Sequence, residues 1–328
     1  YEIQASDWSS DVCSSDLTVI TLFLAVLALA ACSNASSSKK ETSSDSSQLS
    51  SKPKIKGFSY YGDVPKNPKK VVNFAYSYTG YLLKLGIKVS SYSLDLEKDS
   101  PAFGDQLKKA KQLTSDDTEA IAAQEPDLII AFSTDKNLDK LKKIAPVLVI
   151  EYASSNYLDM MTHLGKVFGK EDQAQKWLSS WKAKVAKAKK DLSSQLSAQT
   201  TFTVMDFYDK NIFLYGNNWG RGGELIYDSL GYKAPEKVQT DVIDKDGWFG
   251  VSQEVIGDYI GDYAVVNVNQ STKEAAASLK ESDVWKNIPA VQKGQVLEVD
   301  YNLFYFSDPM SLDKQLPAFV KAVKKANQ

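Results

Sequence analysis

Two patterns of apolar residues alternate along most of the chain. Short continuous runs at 71–74, 127–132 and 147–150 are bounded by turn-formers and read as strands buried on both faces. Between them lie stretches of helical spacing: 78–85 closed by Gly86, 118–124 stopped by Pro126, and 138–144 ending before Pro146. This alternation predicts a parallel sheet with helices on its faces. It resumes further on, with strands expected at 201–207, 212–215, 263–268 and 296–299 and helices at 224–230, 254–259 and 312–325. Asp308-Pro309 reads as a helix-start signal.

One longer pattern separates the two sets. Residues 171–196 place Ala174, Trp177, Leu178, Trp181, Val185, Ala188, Leu192 and Leu196 on one stripe, with lysines on the other faces. A helix of that length spans about 39 Å, more than a strand–helix–strand unit needs, so it reads as a strut between two lobes. Two α/β lobes on a rigid connector leave a cleft, a common place for a ligand.

The N-terminal part differs in kind. Residues 17–31 form an apolar run of signal-peptide length, ending in Leu29-Ala30-Ala31-Cys32, which looks like a bacterial lipobox with Cys32 as the lipidated thiol. The Ser- and Lys-rich stretch after it, to residue 56, reads as a disordered tether. Residues 1–16 carry four acids and no lysine or arginine, contrary to a signal's basic start, and are expected to be a foreign leader. The organisation expected is therefore 1–16 leader, 17–31 signal, 32–56 lipidated cysteine and linker, 57–170 N-terminal lobe, 171–198 connecting helix and 199–328 C-terminal lobe.

Composition narrows the chemistry. A net charge of −2 over 328 residues, with no basic stripe among aromatics, argues against nucleic acid. Cys13 and Cys32 are the only cysteines and His163 the only histidine, so no cysteine- or histidine-rich metal site is expected; His163 reads as a packing or surface residue. No G-x-S-x-G elbow is present, and the chain is expected not to be an enzyme, with an extracellular hydrolase as the remote alternative.

The densest chemistry lies in Tyr215-Gly216-Asn217-Asn218-Trp219-Gly220-Arg221-Gly222-Gly223-Glu224. Its glycines allow positive φ and close approach, while Trp219 offers an aromatic wall and Arg221 a planar fork of donors. Arg221 is the only arginine in the chain. The stretch is neither a P-loop nor a dinucleotide-binding turn.

Asn67-Pro68-Lys69-Lys70-Val71-Val72, Glu125-Pro126-Asp127-Leu128-Ile129-Ile130, residues 164–171 and Trp285-Lys286-Asn287-Ile288-Pro289-Ala290-Val291, with Gly294 and Val299-Asp300, are together similar to substrate-binding proteins of iron-siderophore and cobalamin ABC importers. Asn218-Trp219-Gly220-Arg221-Gly222-Gly223-Glu224 looks more narrowly like the ferric-hydroxamate-binding lipoproteins of Gram-positive bacteria. The resemblance implies two Rossmann-like lobes joined by one long helix, the class III periplasmic-binding-protein fold, with a shallow cleft and little hinge closure. It implies ligand contacts at Trp219, Arg221 and Tyr152, and docking to a membrane permease through Glu119 and Glu254, one per lobe. It implies ligand contacts also at Phe132, Phe213 and Tyr305, although the first two stand where the family has tyrosines and the third where it has a tryptophan, which leaves open which hydroxamate is preferred.

A ferric trihydroxamate needs aromatic walls and one planar donor to its oxygens rather than a protein metal ligand, and Trp219, Tyr152, Tyr305 and Arg221 can supply them. The expected protein is a monomer, lipid-anchored on the outer face of the cell membrane, that captures a ferric hydroxamate siderophore and passes it to an ABC permease with its ATPase. It needs no cofactor. A catecholate, haem or cobalamin remains the alternative cargo.

Overall fold

The computed structural model describes residues 52–208 and 211–328; the leader, the signal run, Cys32 and most of the tether lie outside them. Ile55, expected in the tether, packs against the central core, so the folded body begins before residue 57.

The first lobe is built on a six-stranded sheet in the order β1-β6-β5-β2-β3-β4, formed by β1 Phe58–Tyr61, β2 Val71–Asn73, β3 Val89–Tyr92, β4 Lys111–Gln112, β5 Leu128–Phe132 and β6 Val147–Ile150. Its central strands are parallel and all but wholly buried, as their unbroken apolar runs require. β1 is antiparallel to β6 and was not visible in the hydrophobic pattern. An edge strand needs only half its residues inside, and the alternation Phe58-Ser59-Tyr60-Tyr61 is too short to stand out.

The second lobe holds a five-stranded sheet in the order β11-β10-β7-β8-β9, from β7 Phe202–Tyr208, β8 Asn211–Tyr215, β9 Trp248–Val251, β10 Tyr263–Val268 and β11 Val296–Asp300. The expectation of a wholly parallel sheet fails here too. β7 and β8 pair antiparallel as neighbours in sequence, and β9 adds antiparallel to β8, while β7, β10 and β11 stay parallel.

The connecting helix runs over Glu171–Leu192, shorter than its apolar stripe. The Ser193 hydroxyl donates to the Lys190 carbonyl at 2.9 Å and ends the regular turns, although Leu196 is still buried beyond it. Trp177 and Trp181 stack at 5.7 Å on its buried face. The terminal helix Pro309–Ala326 begins as expected: Asp308 caps the main-chain N–H groups of Met310 and Ser311, and Pro309 fills the first turn.

These two helices pack on each other, and one core runs through both with the inner faces of both sheets: Val71, Leu128 and Ile130 on one side, Phe202, Val204 and Val265 on the other. Separate apolar layers cover the outer sheet faces. Polar ties cross between the lobes as well. The Tyr81 hydroxyl reaches the carbonyls of Tyr157 at 3.0 Å and Ser307 at 3.2 Å, and Tyr157 and Trp181 both meet the Ser229 hydroxyl. At Gly80 a Cβ would sit 1.8 Å from Asp308 Oδ1, so the terminal helix start lies hard against the first lobe. A shared core and these ties hold the lobes in one relation.

Candidate functional site

The loop after β8 carries the site. Gly220, Arg221 and Gly222 have φ of 73°, 57° and 93°, three successive residues in the left-handed region. Glycine takes it freely; for Arg221 it costs on the order of 1–3 kcal/mol, and it persists because the surroundings over-determine it. Asn267, buried on β10, donates to the Arg221 carbonyl at 3.1 Å. The buried Glu224 accepts from the Gly220 N–H at 3.0 Å, and burial raises its carboxyl above the usual range. A Cβ on Gly220 would lie 2.0 Å from the Tyr305 carbonyl oxygen, so only glycine lets the loop touch the segment after β11.

This geometry turns Arg221 inward. Its Nε donates to Asp206 Oδ2 at 3.0 Å and its Nη1 to the Trp219 carbonyl at 3.0 Å, with side-chain exposures of 12% for Arg221 and 2% for Asp206. Its guanidinium carbon lies 4.0 Å from the Tyr305 ring centroid, 4.6 Å from Tyr215 and 5.6 Å from Tyr301. Three tyrosine faces and one carboxylate thus enclose the charge, with cation–π contacts worth roughly 0.5–2 kcal/mol each. The guanidinium expected to stand open to a ligand is instead partly engaged, and Nη2 is the nitrogen without a carboxylate or carbonyl partner among the described residues.

Trp219 faces the other way. Its Nε1 donates to the Asp246 carbonyl at 2.8 Å, and its ring lies 5.2 Å from Tyr152 of the first lobe. From there a band of aromatic contacts runs across both lobes: Tyr152 to Phe132 at 5.7 Å, Phe132 to Tyr76 at 5.1 Å and Tyr78 at 5.8 Å, and on the far side Trp219 to Trp248 at 6.4 Å and Trp248 to Phe213 at 5.8 Å. Burial pushes the Tyr76 hydroxyl up to about 12, with Tyr305 adding to the rise and Arg221 opposing it. It donates rather than ionises at neutral pH.

All six residues expected to meet a ligand therefore lie in this band or in the box around Arg221. The sequence reading missed Tyr76, Trp248, Tyr215, Tyr301 and Asp206. Asp206 left a signal, a lone acid inside the apolar strand Phe202–Tyr208, where a buried charge requires a partner. Trp248 did too, since it follows Asp246-Gly247 as Trp219 follows its own turn residues.

Glu119 and Glu254 are both exposed. Glu119 lies in the first turn of the helix Thr118–Ala122, as expected. Glu254 does not begin a helix; it sits in a turn before the single 3-10 turn Ile256–Tyr259, and hydrogen bonds from the Ser252 side chain and its own N–H lower its carboxyl. His163 packs edge-on to Phe58 and hydrogen-bonds Ser155, the plain role expected. A recess of about 770 Å³ lies elsewhere, between the connecting and terminal helices, rimmed by lysines such as Lys184, Lys187 and Lys321, and it touches none of the aromatic band.

Two α/β lobes joined by one long helix, with an aromatic band across their junction, have the architecture of a substrate-binding protein. The chain belongs to the periplasmic binding protein family, whose model matches residues 71–303. It is 34% identical over 310 residues to the iron(3+)-hydroxamate-binding protein FhuD of Bacillus subtilis (strain 168), spanning 92% of this chain and 95% of that one. It is equally 34% identical over 310 residues to the iron(3+)-hydroxamate-binding protein YxeB of the same organism, with 92% and 94% covered. The solved structure of FhuD2 from Staphylococcus aureus with bound ferrioxamine B matches at a TM-score of 0.74 and 33% identity, over 80% of this chain and 100% of that one. The class III fold and the family resemblance drawn from the sequence both hold.

Proposed function

We propose that this protein is the lipid-anchored receptor of an ABC importer, which binds ferric hydroxamate siderophores on the outer face of the cell membrane and delivers them to the permease. The observation that carries the reading is the aromatic band from Tyr76 to Phe213 running across both lobes beside a buried, oriented arginine. Aromatic faces cover the apolar arms of such a complex, and Arg221 Nη2 with the tyrosine hydroxyls supplies donors for its hydroxamate oxygens. The names of the relatives support the same cargo. Cys32 holds the lipid, Glu119 and Glu254 dock the body on the permease, and Trp219, Arg221, Tyr152, Tyr305, Phe213 and Phe132 contact the ligand as one monomer.

Titration of the purified body with ferrichrome and ferrioxamine B tests this, read by tryptophan emission, which a nearby ferric complex quenches. Quenching at micromolar ligand is expected. No response to either, with a response to a ferric catecholate, haem or cobalamin, transfers the reading to that cargo. Alanine at Glu119 and Glu254 together should leave binding intact and abolish uptake by cells.

A further inference from the structure

Asp206 lies beside the band: Phe213 is its partner across the β7–β8 pair, the Tyr215 side chain stands beside its carboxyl, and its ion pair is with Arg221. It is 2% exposed, holds Arg221 Nε through Oδ2 at 3.0 Å, and its Oδ1 has no hydrogen-bond partner. Among the described residues it is the sole carboxylate in ion-pair range of that guanidinium. Burying such a pair is no efficient route to stability, because desolvation offsets much of the attraction. It does cancel the charge: with Asp206 ionised, the tyrosine box presents donors but no net positive field.

We propose that Asp206 is the charge filter of the cleft, setting its preference for a neutral or cationic metal chelate over an anionic one. This rests on the reading of the cleft as a ferric hydroxamate site. A ferric trihydroxamate such as ferrichrome is neutral, and ferrioxamine B carries one ammonium; a ferric tris-catecholate carries three negative charges. An unneutralised arginine at the wall attracts the last. One paired with Asp206 does not. Asp206 thereby acts as a positioning and selectivity residue without touching ligand.

The test compares the wild type with Asp206→Asn, which keeps an acceptor for Arg221 Nε and removes the charge. Affinities for ferrichrome, ferrioxamine B and a ferric tris-catecholate are measured by emission quenching at low and high salt. In the variant, the ratio of tris-catecholate affinity to ferrichrome affinity should rise by about tenfold or more at low salt and fall back at high salt. A parallel loss for all three chelates makes Asp206 merely structural and overturns the proposal. Wild type that binds no hydroxamate overturns the underlying reading instead. Should Asp206→Asn not fold, Arg221→Gln, which leaves Asp206 uncompensated, carries the test: ferrioxamine B should then be held better than ferrichrome by several-fold, and equal loss of the two sinks the filter.

Discussion

The Tyr152 hydroxyl, on the first lobe, donates to the main-chain oxygen of Asn218 on the second at 3.3 Å, and its ring rests 5.2 Å from Trp219, so the two lobes touch at this point. The long hydrogen bond contributes at most about 1 kcal/mol, whereas under the proposed function the ring is part of the surface that meets the ligand. Tyr152→Phe should leave the melting temperature and hydroxamate affinity nearly unchanged, and Tyr152→Ala should weaken affinity about tenfold or more. Calorimetric titration of both variants decides; equal affinities remove Tyr152 from the site.

Asp313 ties three elements, receiving Lys84 and Lys184 at 2.7 Å each and Trp177 Nε1 at 3.3 Å. Burial alone would raise its carboxyl, but the hydrogen bonds from Lys184 and Lys84 outweigh it and hold it below the usual range. A lowered folded value means stability that is present above the unfolded value near ~3.9 and lost as pH falls through the lower folded one. Asp313→Asn should therefore cost about 1 kcal/mol at neutral pH, a figure discounted for partial exposure, and almost nothing near pH ~2. Urea unfolding across pH checks it, and a gap that persists in acid contradicts the assignment.

Glu97 runs in the opposite sense. Its fully buried carboxyl is pushed up to about 7 by burial, against hydrogen bonds from Thr79, Leu94 and Ser93. Through Thr79, 2.5 Å away, it supports Asn73, whose side chain holds the turn at Ala75 just before Tyr76. Because the folded value exceeds the unfolded one near ~4.3, its contribution is fully present below that pH and is lost as pH rises through about 7, with a slope of up to ~1.4 kcal/mol per pH unit. Glu97→Gln, which imitates the protonated carboxyl, should flatten stability between those limits. Parallel pH profiles for the two proteins would refute it.

How much of this was legible in the sequence depends on how local each signal is. β6 at Val147–Ile150 and β10 at Tyr263–Val268 fall where the apolar runs placed them, and Asp308-Pro309 started its helix, because each is fixed by adjacent residues. β1 and β9 were missed because partnering, not composition, makes them strands. The segment expected as an ordinary helix at 224–230 is instead a stretch of wide helical turns over Glu224–Ser229, with Leu230 bonded back to Leu225, a difference of hydrogen-bond register that the apolar spacing does not encode. Trp219 and Arg221 stood out through their glycines and the rarity of arginine. The pairing of Arg221 with Asp206, 15 residues away on another element, is a tertiary fact that no local pattern carries.

The positive φ at Gly220 gives a sharper test of how the loop serves the site. Alanine there would clash with the Tyr305 carbonyl oxygen, 2.0 Å from the added Cβ, at a φ of 73°. Gly220→Ala should cost roughly 1–3 kcal/mol and lower the melting temperature by several degrees. Since the displaced Tyr305 ring is also the one nearest Arg221, affinity should fall with stability. A variant that melts early but binds with unchanged affinity separates the loop from the ligand.

Emission quenching can be apportioned among the indoles. Trp177, Trp181 and Trp285 are nearly inaccessible, at 5%, 3% and 3%, and belong to cores, whereas Trp219 and Trp248 lie in the aromatic band and Trp248 is 39% exposed. Quenching by a ferric complex falls steeply with distance, so with the ligand placed as proposed Trp219 and Trp248 carry most of it. Trp219→Phe and Trp248→Phe should each remove a large part of the ferrichrome-induced change, Trp219→Phe also weakening affinity because the Asp246 tie goes with it. Trp285→Phe should lower total emission and leave the fractional quench nearly as it was, since Trp285 packs in the outer layer of the second sheet. Were Trp285 to carry the change and Trp248 none, the ligand would have to sit on the outer face of that lobe, and the band of rings between the lobes would be packing alone.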